Sequence, residues 1–144
     1  MNVLVFNCGS SSLKYRLIAM PAEEQLSGGE AQRIGPPTAK PSCLVLNRGA
    51  AGKETRVTPM RDHAEALQEV VHALRETPGA TPDVIGHRLV NGGPTITEYS
   101  LVDDAVLAEL IAQQDLAPLH NPPAIATIQA CRHVFPGLPQ VVIS

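Results

Sequence analysis

The chain has 144 residues, the size of one domain, and 44% of them are hydrophobic while 17% are charged, as in soluble globular proteins. Its net charge of −3, without a basic run, and its 3% of aromatic residues argue against nucleic acid as the main partner. Three widely spaced cysteines without a Cys-x-x-Cys pair indicate reduced thiols in a cytoplasm, and neither a signal peptide nor a membrane span is predicted.

The first part of the chain predicts two antiparallel strands joined by a tight turn. Residues 3–6 are a continuous apolar run, which is typical of a buried strand. Residues 13–17 alternate between apolar and charged side chains, as in a half-buried strand. Between them, residues 7–12 carry an amide, a glycine and three hydroxyl groups, and Lys14 follows.

The turn at residues 7–12 suits an anion such as phosphate. Gly9 permits positive φ and a close backbone approach, and backbone N–H groups in such a turn can form an anion-binding nest. Serine hydroxyls and Lys14 add donors and a positive charge. The segment matches neither the Walker A loop nor the Gly-x-Gly-x-x-Gly fingerprint. Small polar residues also occur in ordinary turns, so a hairpin with its serines facing water is the alternative.

The remainder of the first sixty residues predicts a mostly antiparallel sheet. We expect a turn at Gly28-Gly29, a proline-rich loop over 35–42 and another turn over 49–52. Further strands are predicted at 30–34, 43–47 and 53–58.

From residue 62 the pattern changes to alternating helix and strand, which indicates helices packed on a sheet. Asp62 with Glu65 resembles a capping box at the start of a first helix. Asp103 and Asp104 suit the first turn of a second helix, and Asn121 can cap a third. The buried faces are predicted as Leu67, Val70, Val71 and Leu74; Val106, Leu107, Leu110 and Ile111; and Ile125, Ile128, Cys131 and Phe135. Strands are predicted at 84–90 and 141–143.

Three motifs stand out together: Asn7-Cys8-Gly9-Ser10-Ser11-Ser12-Leu13-Lys14, Gly86-His87-Arg88-Leu89-Val90-Asn91-Gly92-Gly93 and Ala117-Pro118-Leu119-His120-Asn121-Pro122-Pro123. In this order and spacing they resemble the acetate kinase family, which includes acetate, propionate and butyrate kinases. The resemblance runs from the first strand to the end of the chain and is weakest over residues 20–59. It implies an α/β fold, a ribonuclease-H-like domain of the sugar kinase/Hsp70/actin superfamily with a mixed sheet and helices.

The resemblance also implies an activity and its partners. The family reaction is reversible phosphoryl transfer from ATP to acetate, giving acetyl phosphate and ADP, with Mg²⁺ as cofactor. The alternatives are a propionate or butyrate kinase of the family, another phosphotransferase of the superfamily, and an inactive fragment that binds phosphate or carboxylate weakly. No nucleic acid or membrane partner is implied, and the location is cytoplasmic. Members form homodimers, mainly through a second domain.

Compared with family members, the chain resembles an N-terminal domain alone. Residues 1–144 are expected to be the N-terminal ribonuclease-H-like domain, truncated one residue before a catalytic Asp of the family and before its nucleotide-binding second domain. The 144-residue chain by itself is therefore expected to be inactive.

Four residues of the second and third motifs are candidates for carboxylate binding and catalysis. By the resemblance, Arg88 matches the substrate-binding arginine of the family. A guanidinium can grip a carboxylate with two parallel hydrogen bonds, although pattern alone favours a surface ion pair. Val90 and Leu119 match residues that line the pocket for the acetate methyl group. His120 is a catalytic candidate together with Arg88. It lies beside a predicted helix N-terminus, whose positive dipole end disfavours the charged imidazolium form. The alternative is a structural histidine whose hydrogen bonds are satisfied within the fold.

Four residues of the first motif match the phosphate and metal positions. Ser10, Ser12 and Lys14 match positions that contact the phosphates of ATP. For Lys14, the alternative is an ordinary strand lysine that faces water. By the resemblance, Asn7 matches the metal position, and its carbonyl oxygen is a donor that Mg²⁺ accepts.

Two residues depart from the family pattern. Cys8 stands where the family usually has Ala, so a small residue is kept, whereas Asn91 stands where it usually has His, which leaves the role of that side chain open. The remaining histidines match no ligand spacing and are expected to be structural: His63, His72, His87 and His133.

Overall fold

The computed structural model describes residues 1–89, 99–114 and 121–144. In these ranges the chain forms eight strands and three α-helices. The strands are β1 (Asn2–Gly9), β2 (Ser12–Ala19), β3 (Glu24–Gln32), β4 (Cys43–Asn47), β5 (Lys53–Val57), β6 (Val84–Arg88), β7 (Tyr99–Leu101) and β8 (Gln140–Ile143). The helices are α1 (His63–Arg75), α2 (Asp104–Ala112) and α3 (Asn121–Val134), and Gly49–Ala51 forms a 3-10 turn between β4 and β5.

All strands of the described ranges belong to one mixed sheet in the order β5-β4-β3-β2-β1-β6-β8-β7. The first five strands pair antiparallel with their neighbours, whereas β6 pairs parallel with β1, and β8 pairs parallel with β6. The predicted α/β class, with an antiparallel first part and helices added later, is confirmed.

The two faces of the sheet differ because side chains alternate along each strand. On β1, Leu4 and Phe6 are 0% and 1% exposed and point toward α1 and α3, whereas Asn7 points to the opposite side and is exposed. We call the side covered by α1 and α3 the helix face, and the other side the open face. Within the described ranges, helices cover only the helix face.

The hydrophobic core lies between the helix face and the helices. Its larger cluster joins α1 to these sheet residues: Leu4, Phe6, Leu13, Tyr15, Leu17, Ala31, Leu44, Leu46 and Ile85. A smaller cluster holds α2 and α3 together: Leu89, Leu107, Leu110, Ala124, Ile125, Ile128 and Val142. Each fully buried aliphatic side chain contributes roughly 1.5–3 kcal/mol, so this pattern determines which face the helices occupy.

Helix α1 begins as the sequence predicts. The Asp62 side chain accepts a hydrogen bond from the backbone N–H of Glu65 at 2.8 Å. The Glu65 carboxylate accepts from the backbone N–H of Arg61 at 2.8 Å, one residue before the position that a standard capping box uses. All four apolar residues predicted for its inner face are buried: Leu67, Val70, Val71 and Leu74.

The turn predicted at Gly28-Gly29 is wrong, because both glycines lie inside β3. A Cβ atom on Gly29 would lie 2.5 Å from the carbonyl oxygen of Val45 and 3.1 Å from the Tyr15 ring. The glycine therefore makes room for the neighbouring strand and for a buried aromatic ring, a requirement that a sequence pattern does not show.

Smaller differences occur near the end of the chain. The sequence did not predict β7, a three-residue edge strand. Ile111 is 41% exposed although it was assigned to the buried face of α2, while Leu107 and Leu110 are buried. Phe135 follows the last residue of α3 and is partly buried. No helix of the described ranges has the length and apolar character needed to cross a membrane.

Candidate active site

Asn7, Lys14 and Arg88 form a row across three adjacent strands of the open face. In the sheet register, Asn7 of β1 is paired with Lys14 of β2 and with Arg88 of β6. Paired residues point to the same face, and all three are exposed. Because neighbouring strands lie about 4.8 Å apart, the Cα atoms of Lys14 and Arg88 are roughly 10 Å apart. The row therefore brings an ammonium, an amide and a guanidinium group together.

The row lies at the edge of the sheet where open α/β sheets bind ligands. Strands β1, β6 and β8 run parallel, so their carboxyl ends meet at one edge. Arg88 is the last residue of β6, which was predicted to continue to residue 90, and Ser10 and Ser11 directly follow β1. Ligands of such sheets bind outside the carboxyl ends of the strands.

Ser10 and Ser11 form a two-residue turn between the paired residues Gly9 and Ser12. Gly9 does not adopt the positive φ that the sequence suggested. Instead, a Cβ atom at this position would lie 2.6 Å from Oγ of Ser12. Glycine thus leaves space for the Ser12 hydroxyl group in its present rotamer, and this hydroxyl lies on the same side of the hairpin as Asn7 and Lys14.

The turn is held from beneath by His63, the first residue of α1. Its Nε2 lies 2.9 Å from the carbonyl oxygen of Gly9 and 3.0 Å from that of Ser12. Both oxygens can only accept, so Nε2 carries the hydrogen and donates to both. The backbone N–H of Ile34 donates to the carbonyl oxygen of Ser11 at 2.9 Å. From the sequence, His63 was expected to be structural because it matches no ligand spacing. Its contact with the turn joins residues at least 51 positions apart, which no local pattern signals.

Cys8 ties the end of β1 to α3. Its sulfur lies 3.3 Å from Oγ1 of Thr127, which itself donates to the carbonyl oxygen of Pro123 at 3.0 Å, so the Cys8 thiol is the donor. Burial raises the pKa of Cys8 to about 11. The side chain is therefore neutral at pH 7 and adds no negative charge beside the serine turn. Its contact with Thr127 holds the end of β1 against α3.

Of the two cations of the row, Lys14 has an ion-pair partner among the described residues and Arg88 has none. Nζ of Lys14 lies 3.6 Å from Oε2 of Glu30, and the Lys14 side chain is 66% exposed. Such an exposed pair contributes little to stability, so Lys14 can exchange Glu30 for a ligand. No carboxylate of residues 1–89, 99–114 or 121–144 forms an ion pair with Arg88. In this part of the chain, the surface ion pair that the pattern favoured for Arg88 is absent.

The remaining candidates, Val90, Leu119 and His120, lie outside the described residues, as does Asn91. Helix α3 begins at Asn121, directly after His120 in the sequence. The described part of the predicted site therefore consists of Asn7, Ser10, Ser12, Lys14 and Arg88, which the fold brings to one edge of the sheet.

The donor set of this edge fits a hard cation such as Mg²⁺ only in part. The Asn7 carbonyl oxygen and the serine hydroxyls are oxygen donors of the kind that Mg²⁺ accepts. Among the described residues there is no cluster of three or more His, Cys, Asp or Glu side chains that would hold a metal by itself. A bound Mg²⁺ would thus depend on phosphate oxygens and water in addition to Asn7.

The topology and the site together define a class of protein. An antiparallel β3-β2-β1 unit, continued by parallel β6 and β8 with helices on one face, is the ribonuclease-H-like arrangement of the sugar kinase/Hsp70/actin superfamily, as the resemblance implied. The profile of the acetokinase family matches residues 2–144. The chain belongs to this family.

Relatives and solved structures agree with this assignment. The chain is 42% identical to acetate kinase of Agathobacter rectalis over 147 residues, and 42% identical to acetate kinase of Thermoanaerobacter pseudethanolicus over 149 residues. These alignments cover 98% and 99% of the chain but 36% of each relative. The crystal structure of Porphyromonas gingivalis acetate kinase matches with a TM-score of 0.88 and 33% identity, over 99% of this chain and 36% of that one. A propionate kinase from Francisella tularensis matches with a TM-score of 0.87 and 33% identity, over the same shares. The chain spans about a third of the length of the relatives it matches.

Proposed function

We propose that the gene product carrying this chain transfers the γ-phosphoryl group of ATP to acetate and forms acetyl phosphate and ADP. The observation that carries this proposal is the row of Lys14, Asn7 and Arg88 beside the serine turn. The row places groups suited to a phosphate and to a carboxylate at one edge of the sheet. Membership of the acetokinase family supports the proposal that the carboxylate is acetate and the phosphate belongs to ATP.

Arg88 is proposed to bind the carboxylate of the acceptor. Its guanidinium is exposed at the end of β6, and no carboxylate of the described residues occupies it. Two parallel N–H···O bonds would orient the carboxylate so that one oxygen faces the transferring phosphorus. Because the same guanidinium also meets negative charge as transfer proceeds, it acts in both binding and catalysis.

The serine turn and Lys14 are proposed to bind the phosphates of ATP. Phosphoryl transfer is in line and loose, so the protein mainly has to position the groups and stabilise charge on the equatorial oxygens. Hydroxyls of Ser10 and Ser12 and the ammonium of Lys14 supply donors and a positive charge for this purpose. The roughly 10 Å between the Cα atoms of Lys14 and Arg88 leaves room for a carboxylate and a phosphoryl group side by side.

We propose Asn7 as the residue of this chain that holds Mg²⁺ through its carbonyl oxygen. The ion, when bound with ATP, neutralises charge on the phosphates. The remaining residues proposed for the site are His120, a donor to a phosphoryl oxygen, and Val90 and Leu119, the lining of the pocket for the acyl group.

Propionate is the second candidate acceptor. The fold matches the propionate kinase of Francisella tularensis as closely as it matches the acetate kinase of Porphyromonas gingivalis, with TM-scores of 0.87 and 0.88. The groups that grip a carboxylate are the same for both acids, so the size of the acyl pocket decides between them.

We further propose that residues 1–144 act as the N-terminal domain of the kinase, that adenine binding depends on a second domain, and that the protein forms a homodimer. The alignment to 36% of each relative supports a part rather than the whole of the catalytic unit. The free thiols of Cys8, Cys43 and Cys131 and the need for ATP support a cytoplasmic location.

The test is an acyl phosphate assay on the complete gene product. Purified protein is incubated with Mg-ATP and acetate, propionate or butyrate, and the acyl phosphate is trapped with hydroxylamine. We expect turnover with acetate at least as fast as with propionate, and turnover should stop when Mg²⁺ is removed by a chelator. Phosphorylation of none of the three acids, by protein that is folded and binds ATP, would refute the proposal.

A further inference from the structure

We propose that His63 is a positioning residue, which holds the Ser10-Ser11 turn in the orientation that phosphate binding requires. This inference rests on the proposed function, because it concerns the same phosphate site. His63 lies on α1, whereas the groups proposed to contact the phosphate lie on the β1–β2 hairpin.

The contact joins both ends of the turn to one rigid side chain. Nε2 of His63 donates to the carbonyl oxygen of Gly9 at 2.9 Å and to that of Ser12 at 3.0 Å. These two residues are the last position of β1 and the first of β2. The imidazole thus sets the separation and tilt of the two strand ends from which Ser10 and Ser11 project.

His63 is itself held firmly. Its exposed fraction is 6%, and it is the first residue of α1, directly after the Asp62 cap. From its first turn onward, α1 contributes a continuous set of buried residues to the core, beginning with Ala66 and Leu67. We call the two hydrogen bonds of His63 the clamp. Because α1 is packed in the core, the clamp fixes the position of the turn relative to the core.

The clamp also fixes the direction of one backbone donor. A trans peptide group is planar, and its C=O and N–H point in opposite directions. Because the carbonyl of Gly9 points toward His63, the N–H of Ser10 in the same peptide group points away from His63 and from α1. A backbone N–H directed out of the turn is a group that an anion-binding nest uses.

The third carbonyl of the turn is held independently. The N–H of Ile34 donates to the carbonyl oxygen of Ser11 at 2.9 Å. Loss of His63 would therefore leave the Ser11 carbonyl held and remove the side-chain donor from those of Gly9 and Ser12. The Gly9–Ser10 peptide group would then be held less tightly, while Gly9 and Ser12 stay paired in the register of β1 and β2.

The test compares two substitutions at His63 with a control in the same helix. His63→Phe keeps a ring but removes the donor, whereas His63→Gln keeps an N–H near the position of Nε2. His72→Phe is the control, because His72 is a 71% exposed residue of α1. In the complete gene product, His63→Phe should lower kcat/KM for ATP by about 10- to 100-fold and leave KM for acetate unchanged.

Rescue by the conservative variant separates positioning from a general loss of stability. We expect His63→Gln to recover kcat/KM for ATP to within about fivefold of wild type, and His72→Phe to equal wild type. Equal effects of His63→Phe on KM for ATP and for acetate, or identical losses in His63→Phe and His63→Gln, would overturn the proposal.

Hydrogen exchange gives a readout that does not depend on the proposed reaction. The peptide covering residues 7–14 should exchange its amide hydrogens faster in His63→Phe than in wild type, while peptides from β6 and α3 stay unchanged. Unchanged exchange at the turn would overturn the clamp even if activity fell. If the wild-type gene product forms no acyl phosphate, the proposed function fails, and the exchange result alone decides whether His63 holds the turn.

Discussion

At the scale of single residues, Arg88 carries the most specific part of the proposed function. Arg88→Ala in the complete gene product should raise KM for the carboxylate and lower kcat, because one group grips the acceptor in both the ground and the transition state. Loss of one bidentate charged contact corresponds to about 2–4 kcal/mol, or about 30- to 1000-fold in kcat/KM. Steady-state kinetics with acetate as the varied substrate measure the effect.

A matched control for Arg88 is available on the surface. The Arg61 side chain, two residues before α1, is 74% exposed and pairs with Glu65 in the first turn of that helix. Arg61→Ala removes another exposed guanidinium, away from the row, and should leave both constants at their wild-type values. Wild-type kinetics in Arg88→Ala would remove this arginine from the site.

The serine turn gives a second prediction at this scale. Ser10→Ala and Ser12→Ala should each reduce kcat, since each removes a hydroxyl that donates to the transferring phosphate, at a cost of about 0.5–3 kcal/mol. Ser100→Ala on the edge strand β7 is the control. If both turn variants kept wild-type kinetics for ATP, the hairpin would be an ordinary one with its serines in water.

At the scale of elements, two strand glycines differ in their surroundings: Gly29 is crowded by a neighbouring strand, whereas Gly86 has free space around it. In Gly29→Ala the new Cβ would lie 2.5 Å from the carbonyl oxygen of Val45, so β3 and β4 must move apart. We expect a loss of about 1–3 kcal/mol in the free energy of unfolding. Gly86→Ala, on the interior strand β6, meets no atom within 4 Å and should change stability by less than about 0.5 kcal/mol. Equal urea midpoints for the two variants would contradict this account of the β3 glycine.

The elements themselves show how far sequence reasoning reaches. Strands β1, β2 and β4 and helix α1 were predicted because periodicity and the Asp62 cap report on local structure. The course of β3 through Gly28-Gly29 was not predicted, since a glycine pair looks the same in a turn and beside a crowded neighbour.

The site shows the same limit. Arg88 and the serine turn were found through motifs, but their meeting in one row depends on the parallel pairing of β1 with β6, which joins residues 81 positions apart. The contact of His63 with the turn depends on where α1 starts relative to the hairpin, and no spacing along the chain expresses that relation.

At the scale of the whole molecule, a buried histidine makes stability depend on pH. His87 is 1% exposed, stacks on Phe6 with ring centroids 5.7 Å apart, and donates from Nε2 to the Gln140 side chain at 2.6 Å. Burial lowers the pKa of His87 to about 4, against the weaker opposing effect of the Gln140 hydrogen bond.

The sign of the effect follows from proton uptake. Between about pH 6.5 and pH 4, His87 binds a proton in the unfolded state but not in the folded state, so the free energy of unfolding falls as the pH falls. The loss attributable to His87 reaches about 3 kcal/mol at the low end. Urea titrations over this range should show a flatter dependence in His87→Gln, whereas His133→Gln should retain the wild-type slope. A wild-type slope in His87→Gln would show that other groups cause the acid sensitivity.

We propose above all that this chain supplies the residues that bind the acceptor carboxylate and the ATP phosphates in an acetate kinase active site. The most direct measurement replaces the aligned 36% of Agathobacter rectalis acetate kinase with residues 1–144 and assays acetyl phosphate formation from Mg-ATP and acetate. We expect the chimera to turn over and to lose turnover in Arg88→Ala but not in Arg61→Ala. A folded chimera without turnover, or one whose turnover survives Arg88→Ala, would contradict the account.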